Sequence, residues 1–295
     1  MSTKIGAPFP ASHRPRRPVS ASRALLVCAT LGALGALVTG CATSDPSPRD
    51  PGDRPGKVRA PDADTPFDYQ LGGAYSPPRG VRAVSRDRRA KPAPGLYNVC
   101  YVNAFQTQPG KAIGWWKRHH SELLLKKDGE LVVDRDWDEP LLDISTPARR
   151  EALMKVVGPW IDGCAKAGFD AVEPDNLDSY ERSEGELTTK DAVAFAQLLA
   201  ERAHGRHLAI AQKNTTDLLP HHSRIGFDFA VVEECAHYKE CGDYAKAYDG
   251  RLFDIEYVRE DFTGACRRYG DDLSVTLRDR DVLPAGERGH VAKRC

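Results

Sequence analysis

The stretch from Gly168 to Tyr180, GFDAVEPDNLDSY, runs from apolar residues directly into a group of carboxylates. Alternate side chains of a strand point to one face, so Glu173 and Asp175 are expected to point the same way. Two acids facing together would be costly inside an apolar core. They are reasonable at the mouth of a barrel, where carboxylates are solvated and available for chemistry on a ligand, and Asp178 adds a further acid there.

Three later apolar segments also end in polar residues. In one of them, the period of two places Glu233, rather than Glu234, on the face that carries Val231. Because parallel strands end at the same rim of a barrel, we expect these residues to converge on the acids named above. The other residues expected at this rim are Asn176, Lys213, Asn214, Glu256 and Tyr257.

Short apolar segments alternate with longer helical patterns after residue 66, which is typical of a parallel sheet covered by helices. Eight strands are predicted, and eight suggest a closed α/β barrel. A further short strand is expected at the rim over 141–145, and residues 103–140 form a long insertion of a kind that is often functional. The predicted strands are 67–71, 81–85, 96–102, 170–175, 208–213, 228–233, 252–257 and 273–277.

Two helices carry clear end signals. The first begins at Thr146-Pro147, a capping residue followed by proline, and contains Pro159, which should kink or split it. The second is expected to begin at residue 188 or 189 and to end at Gly205.

The N-terminus has the pattern of an export signal. In residues 1–40, basic side chains precede an apolar run that is short for a bilayer span. The run ends in VTG before Cys41, which resembles a bacterial lipobox and predicts lipidation of Cys41 and a place at the cell surface; an ordinary signal peptide is the alternative. Residues 41–66 are rich in proline and polar side chains and predict a disordered tether, leaving 67–295 as the folded domain.

The charge of the chain disfavours one class of partner. Of 42 basic residues, five lie in residues 1–40, which hold none of the 42 acidic ones, so the remainder carries a net charge of about −5. A nucleic-acid partner would favour a basic surface and is not expected. A cationic or neutral ligand suits this charge better.

Six cysteines follow Cys41, and an even number in an exported protein suggests disulfides. Cys235 and Cys241 are close enough in sequence to close a small loop. No C-x-x-C pair and no histidine pair at the H-x-x-x-H ligand spacing is present, so we expect neither a metal nor another cofactor. The cysteines whose pairing stays open are Cys100, Cys164, Cys266 and Cys295.

Several segments together resemble the endo-α-1,4-polygalactosaminidases, glycoside hydrolase family 114. They are GFDAVEPDNLDSY, LTTKDAVAFAQLLAERAH, AIAQKN, FDFAVVEECAHYKEC and FDIEY, in the order and spacing of that family. The resemblance implies a (β/α)₈ TIM barrel and endo-hydrolysis of α-1,4-linked galactosamine polymers.

Carried onto this sequence, the acids of the family pattern are Asp175 and Glu233. Glycosidases need one carboxylic acid to protonate the leaving oxygen and one carboxylate as nucleophile or base. We assign the nucleophile or base to Asp175 and the general acid to Glu233; the reverse assignment and an inverting mechanism stay open. The chain departs from the family pattern at three positions, with Glu173 for Asp, Val232 for Asn and Glu234 for Gln.

The acidic rim is expected to attract an amino-sugar polymer, whose deacetylated units are cationic. Lys213 is expected to pair with one carboxylate and hold it ionised. Two other functions stay open: a sugar-binding barrel lipoprotein without activity, and a barrel hydrolase that uses its carboxylates to hold a metal.

Overall fold

The computed structural model describes residues 58–295, so the predicted export signal and Cys41 lie outside the described residues. Within them, eight parallel strands follow one another around a barrel, each paired with its neighbour in sequence order. The predicted (β/α)₈ fold is confirmed, and the strand bounds shift by one or two residues. The strands are β1 (Phe67–Tyr69), β2 (Ala83–Asp87), β3 (Tyr97–Asn103), β4 (Ala171–Asp175), β5 (Ala209–Lys213), β6 (Phe229–Glu233), β7 (Leu252–Glu256) and β8 (Ser274–Arg278).

The first and last barrel strands meet through side chains. The hydroxyl of Thr276 on β8 donates to the carbonyl of Phe67 on β1 at 3.1 Å, and no backbone ladder joins β1 to β8 within residues 58–295. A short strand absent from the predictions, β9 (Ala292–Arg294), pairs antiparallel with β8 instead. The C-terminus therefore occupies part of the edge of β8.

The barrel interior divides into an apolar and a polar half. Large rings fill the N-terminal half, where Phe67 and Phe253 stack with centroids 4.2 Å apart and Phe229 packs edge-on to Phe253. At the C-terminal ends of β4 and β5, the inward positions carry Glu173 and Lys213, both buried. The layering of side chains expected in such a barrel thus places all interior charge at one end.

Helices cover the outside of the barrel, and none in the described part of the chain is long and apolar enough to cross a membrane. Shorter 3₁₀ turns cover Ser121–Leu123, Ser179–Arg182 and Thr216–His221. The helices are α1 (Lys111–His119), α2 (Pro147–Ala167), α3 (Thr189–His204), α4 (His222–Ile225), α5 (Cys235–Tyr238), α6 (Cys241–Ala247) and α7 (Arg259–Tyr269).

The two predicted helices are present with the predicted starts. Thr146 caps α2 by accepting from the amide of Arg149. The predicted split at Pro159 is wrong, because α2 is continuous across it. Pro159 and Lys155 are both exposed, so the Lys155 carbonyl that loses its amide partner faces water. Thr188 caps α3, forming a reciprocal capping box with Asp191.

The folded part begins earlier than residue 67. Tyr97 donates to the backbone carbonyl of Arg59 at 2.8 Å, and Pro61 is buried. The expected disordered tether therefore cannot include residues 58–66. This segment lies against the barrel, where it covers Tyr97 and accepts its hydrogen bond.

The insertion between β3 and α2 builds a separate layer over the rim. It holds α1 and two small antiparallel pairs, Lys126–Lys127 with Glu130–Leu131 and Val133–Asp134 with Glu139–Pro140. The rim strand predicted over 141–145 is reduced to single bridges at Leu141 and Leu142.

Candidate active site

A single ammonium lies at the centre of the polar end of the barrel. Lys213 Nζ, on a side chain that is 2% exposed, lies 3.0 Å from Asp175, 3.2 Å from Glu173 and 3.2 Å from Glu233. The hydroxyl of Tyr69 is its fourth neighbour at 3.1 Å. Three carboxylates from β4 and β6 thus share one cation that β5, the strand between them, supplies.

The ionisation of Asp175 is set by this cation. Burial opposes the charge of its carboxyl, but the Lys213 ammonium and the hydroxyl of Tyr101, which donates to Oδ2 at 2.7 Å, outweigh burial and hold the pKa below its usual value. Burial also opposes the charge on Lys213. The carboxylates of Asp175 and Glu233 outweigh this effect of burial, so the Lys213 pKa lies well above its usual range. Asp175 is therefore held as a carboxylate beside a permanent ammonium.

Glu233 faces the same well from the end of β6. Its Oε1 accepts a hydrogen bond from Tyr257, and its Oε2 lies 3.4 Å from the amide nitrogen of Asn214. The side chain is 26% exposed, against 17% for Asp175, so both acids reach the open end of the barrel. The neighbouring Glu234 has a left-handed backbone and pairs with Arg280 at 2.7 Å outside the well.

Glu173 lies one layer deeper than Asp175. It is fully buried and accepts from Tyr69 at 3.0 Å and from Ser85 at 2.5 Å. Burial raises the pKa of its carboxyl, although Lys213 and the Ser85 hydrogen bond oppose that shift. Glu173 therefore pairs with Lys213 from the interior of the barrel and does not reach its open end.

Three further predicted residues lie at the rim. Asn214, which has a left-handed backbone, accepts from the amide of Glu233 at 2.8 Å and so fixes the end of β6. Asn176 donates to Asn103 at 3.0 Å. Asp178 is paired with Arg182 at 2.8 Å and is thereby held beside the site rather than within the well.

The expected position of Glu256 is wrong. Phe253, Ile255 and Tyr257 share the inward face of β7, so Glu256 points outward and is fully buried against α5, where it accepts from the amide of Ala236 at 2.8 Å. The next outward residue, Asp254, is buried beside it. Glu256 therefore does not join the acids of the well.

The predicted disulfide between Cys235 and Cys241 is present beside these two acids. The remaining cysteines form two more bonds, Cys100 with Cys164 and Cys266 with Cys295. Within residues 58–295, the one cluster of potential metal ligands consists of Cys235, Cys241, Asp254 and Glu256. Since both sulfurs are committed to a disulfide, this cluster does not fit a metal in its oxidised form.

The pair formed by Asp254 and Glu256 makes stability depend on pH. Burial and the neighbouring Glu256 charge raise the pKa of Asp254 well above its usual value, and burial raises that of Glu256 to about 7. The folded protein therefore retains protons that the unfolded chain releases above its ordinary carboxyl pKa of about 4. This contribution to stability is present at low pH and is lost as pH rises through about 7.

Asp254→Asn is expected to leave the free energy of unfolding nearly unchanged at pH 4 and to raise it at pH 8, by up to about 1.4 kcal/mol for each pH unit over which only the unfolded chain has released the proton, because an amide resembles the protonated acid. Urea unfolding at both pH values measures this. The exposed Asp271→Asn serves as the matched control. An equal change at the two pH values would contradict the proposed protonation of Asp254.

The sequence alone did not reveal two contributors to the site. Tyr101 shares the inward face of β3 with Val99, and the period of two along YNVCYVN could have identified it. Glu139 comes from the insertion and accepts from Asn103 at 2.9 Å. Burial and the Asp175 charge raise the Glu139 pKa to about 7 against the lowering effect of that hydrogen bond. No local pattern marks Glu139.

Comparisons with known proteins identify the family of this chain. Residues 49–295 match the family described as glycoside-hydrolase family GH114. No curated protein matches the chain. Among solved structures, Ega3 of Aspergillus fumigatus in complex with galactosamine is 24% identical, with a TM-score of 0.64 over 83% of this chain and 100% of that one.

A second similar structure is the glycoside hydrolase domain of PelA from Pseudomonas aeruginosa. It is 15% identical, with a TM-score of 0.55 over 77% of this chain and 98% of that chain. At these identities the likeness shows a shared fold, and the family match over most of the chain shows the relationship. This chain therefore belongs to glycoside-hydrolase family GH114 and is a glycosidase.

Proposed function

We propose that this glycosidase cleaves α-1,4-linked galactosamine-type polysaccharide within the chain, with Asp175 as nucleophile and Glu233 as general acid. The observation that carries the proposal is the shared ammonium of Lys213, which brings carboxylates of β4 and β6 together at the open end of the barrel. The well contains three carboxylates and one ammonium, which favours a cationic sugar. The structure of Ega3 with galactosamine supports this substrate class.

The distances around Lys213 favour retention of configuration. One oxygen of Asp175 and one of Glu233 each lie within 3.2 Å of the same nitrogen. These nearest oxygens are therefore at most about 6.2 Å apart, a close approach that suits the ~5–5.5 Å carboxyl separation of retaining enzymes better than the ~6.5–9.5 Å of inverting ones.

In the proposed first step, Glu233 has taken up a proton from water, and it gives that proton to the departing glycosidic oxygen while the Asp175 carboxylate attacks the anomeric carbon. This step forms a covalent glycosyl-enzyme and breaks the bond between the sugars. In the second step, Glu233 takes a proton from water as the water oxygen displaces Asp175. Tyr101 and Lys213 hold the Asp175 carboxylate in its charged form before the attack and stabilise that charge again as Asp175 is displaced.

We also propose that the chain is exported and carries lipid on Cys41. The lipobox-like VTG before Cys41 supports this. The three disulfides between residues 100 and 295 suit an oxidising compartment outside the cytoplasm.

Incubation of the protein with deacetylated α-1,4-galactosamine oligomers, with the products weighed by mass spectrometry, tests the function. We expect internal cleavage to shorter oligomers, and NMR of the first product should show the α-anomer. An α-linked glucosamine oligomer is the matched substrate. Intact galactosamine oligomers after prolonged incubation would refute the proposal.

A further inference from the structure

A second pocket opens beside the well, at the ends of β2 and β3. Its volume is about 320 Å³, at the lower end of the roughly 300–1,000 Å³ typical of small-ligand sites. Asn103, which lines it, is the ladder partner of Asp175 and accepts from Asn176. The pocket thus begins one side chain away from the proposed nucleophile, where a neighbouring unit of a bound polymer would lie.

The lining of this pocket has a charge opposite to that of the well. Three cationic side chains and no carboxylate are present among the described residues that line it, and the nearby Asp87 already accepts from Arg89 at 2.9 Å and from Gln108 at 3.1 Å. Apart from Ala112, the remaining lining is polar or aromatic. The cations are Arg88, Arg89 and Lys111, and the aromatic residues are Trp115, Trp116 and Trp160.

Arg88 is placed to receive an anion. Its guanidinium lies over the ring of Trp160, 4.3 Å from the centroid, so the stacked face is fixed and the nitrogen donors at its edge stay available. No carboxylate within residues 58–295 forms an ion pair with Arg88 or with Lys111. A guanidinium edge suits the two oxygens of a carboxylate.

Trp115 completes the arrangement with an apolar surface. Its side chain is 37% exposed, and its ring is supported edge-on by buried Trp116 with centroids 5.3 Å apart. A pyranose ring can pack against such a supported indole while its charged substituent reaches Arg88 and Lys111. The same cations would favour an anionic sugar over an ammonium-bearing one.

We propose that this pocket is a subsite for an anionic sugar, such as a hexuronic acid. The natural polymer would then carry an acidic unit beside the amino sugar that occupies the well. This proposal rests on the proposed function for the position of the cleaved unit, while anion binding itself does not depend on turnover.

The test measures binding of D-galacturonate and trigalacturonate to the full protein by titration calorimetry, with D-galactose as the uncharged counterpart. We expect both anions to bind more tightly than galactose. The substitution Arg88→Gln should lower the affinity for both anions about 10-fold or more, since it removes a charged hydrogen-bond donor. Lys111 is exposed, so Lys111→Ala should lower the affinity for the anions by a smaller factor. Arg267→Gln, an exposed charge change on α7, is the matched control.

Equal affinity for galacturonate and galactose, or unchanged anion affinity in both variants, would overturn the subsite. A protein that binds galacturonate through Arg88 but leaves galactosamine oligomers intact would refute the proposed function alone. A protein that cleaves those oligomers without binding the anion would refute the subsite alone.

Discussion

Asp175→Asn is expected to lower kcat by more than about 10⁴-fold, since loss of a covalent nucleophile removes the first chemical step. Asparagine keeps the size of the side chain and can still meet Tyr101, so the well should keep its shape. Substrate affinity should therefore change little. Steady-state hydrolysis of galactosamine oligomers gives kcat, and calorimetry with the inactive variant gives the affinity.

The partner variant Glu233→Gln separates the two roles. Loss of a general acid costs about 10²–10⁴-fold on ordinary glycosides. It should cost far less on a nitrophenyl galactosaminide oligomer, whose leaving group departs without a proton, whereas Asp175→Asn should stay inactive on both substrates. Glu234→Gln is the matched control because this adjacent glutamate pairs with Arg280 outside the well. The opposite pattern for the two acids would show that the roles are reversed.

Lys213→Met is expected to destabilise the fold by roughly 3–5 kcal/mol at neutral pH, because it leaves buried Glu173 and Asp175 without their cation. The sign of the pH dependence should change as well. In the wild type, the lowered pKa of Asp175 contributes stability that is lost as pH falls through that value. Without Lys213, burial raises both carboxyl pKa values, so the free energy of unfolding should fall as pH rises from about 4 to 8.

Denaturant unfolding between pH 4 and pH 8 measures this effect. A second substitution, Glu173→Gln in the Lys213→Met background, removes one of the stranded charges and should recover part of the stability at pH 8. The single variant Glu173→Gln is the control for the substitution itself. Equal destabilisation of Lys213→Met at pH 4 and pH 8 would show that packing, rather than charge, explains the loss.

The barrel and the residues of its well could be predicted because both depend on short-range patterns. The period of two places Glu173 and Asp175 on one face of β4 and Glu233 on the inward face of β6, whatever the rest of the chain does. The same rule assigns Glu256 outward, since Phe253 and Ile255 share the face of Tyr257. Glu256 is at the end of its strand, as Glu233 is, but the alternation of side chains turns it away from the well.

Contacts made across long sequence separations could not be predicted in this way. Glu139 reaches Asn103 from an insertion whose path depends on how α1 and two small strand pairs pack. The bond between Cys100 and Cys164 joins β3 to α2 across 64 residues, and it forms because that helix packs back on its own strand. Such pairings follow from tertiary packing, which no local period encodes.

The junction of β1 and β8 has a consequence for how the molecule opens. Around the rest of the ring within residues 58–295, backbone ladder hydrogen bonds must break before two neighbouring strands part, whereas at this junction the Thr276 hydroxyl and the contact of Arg278 with Asp68 hold them. Transient separation should begin at this junction, because fewer backbone bonds resist it. The disulfide between Cys295 and Cys266 keeps β9 attached to α7 while the strands are apart. The partner strand of β8 therefore stays close to it and can pair with it again when the barrel closes.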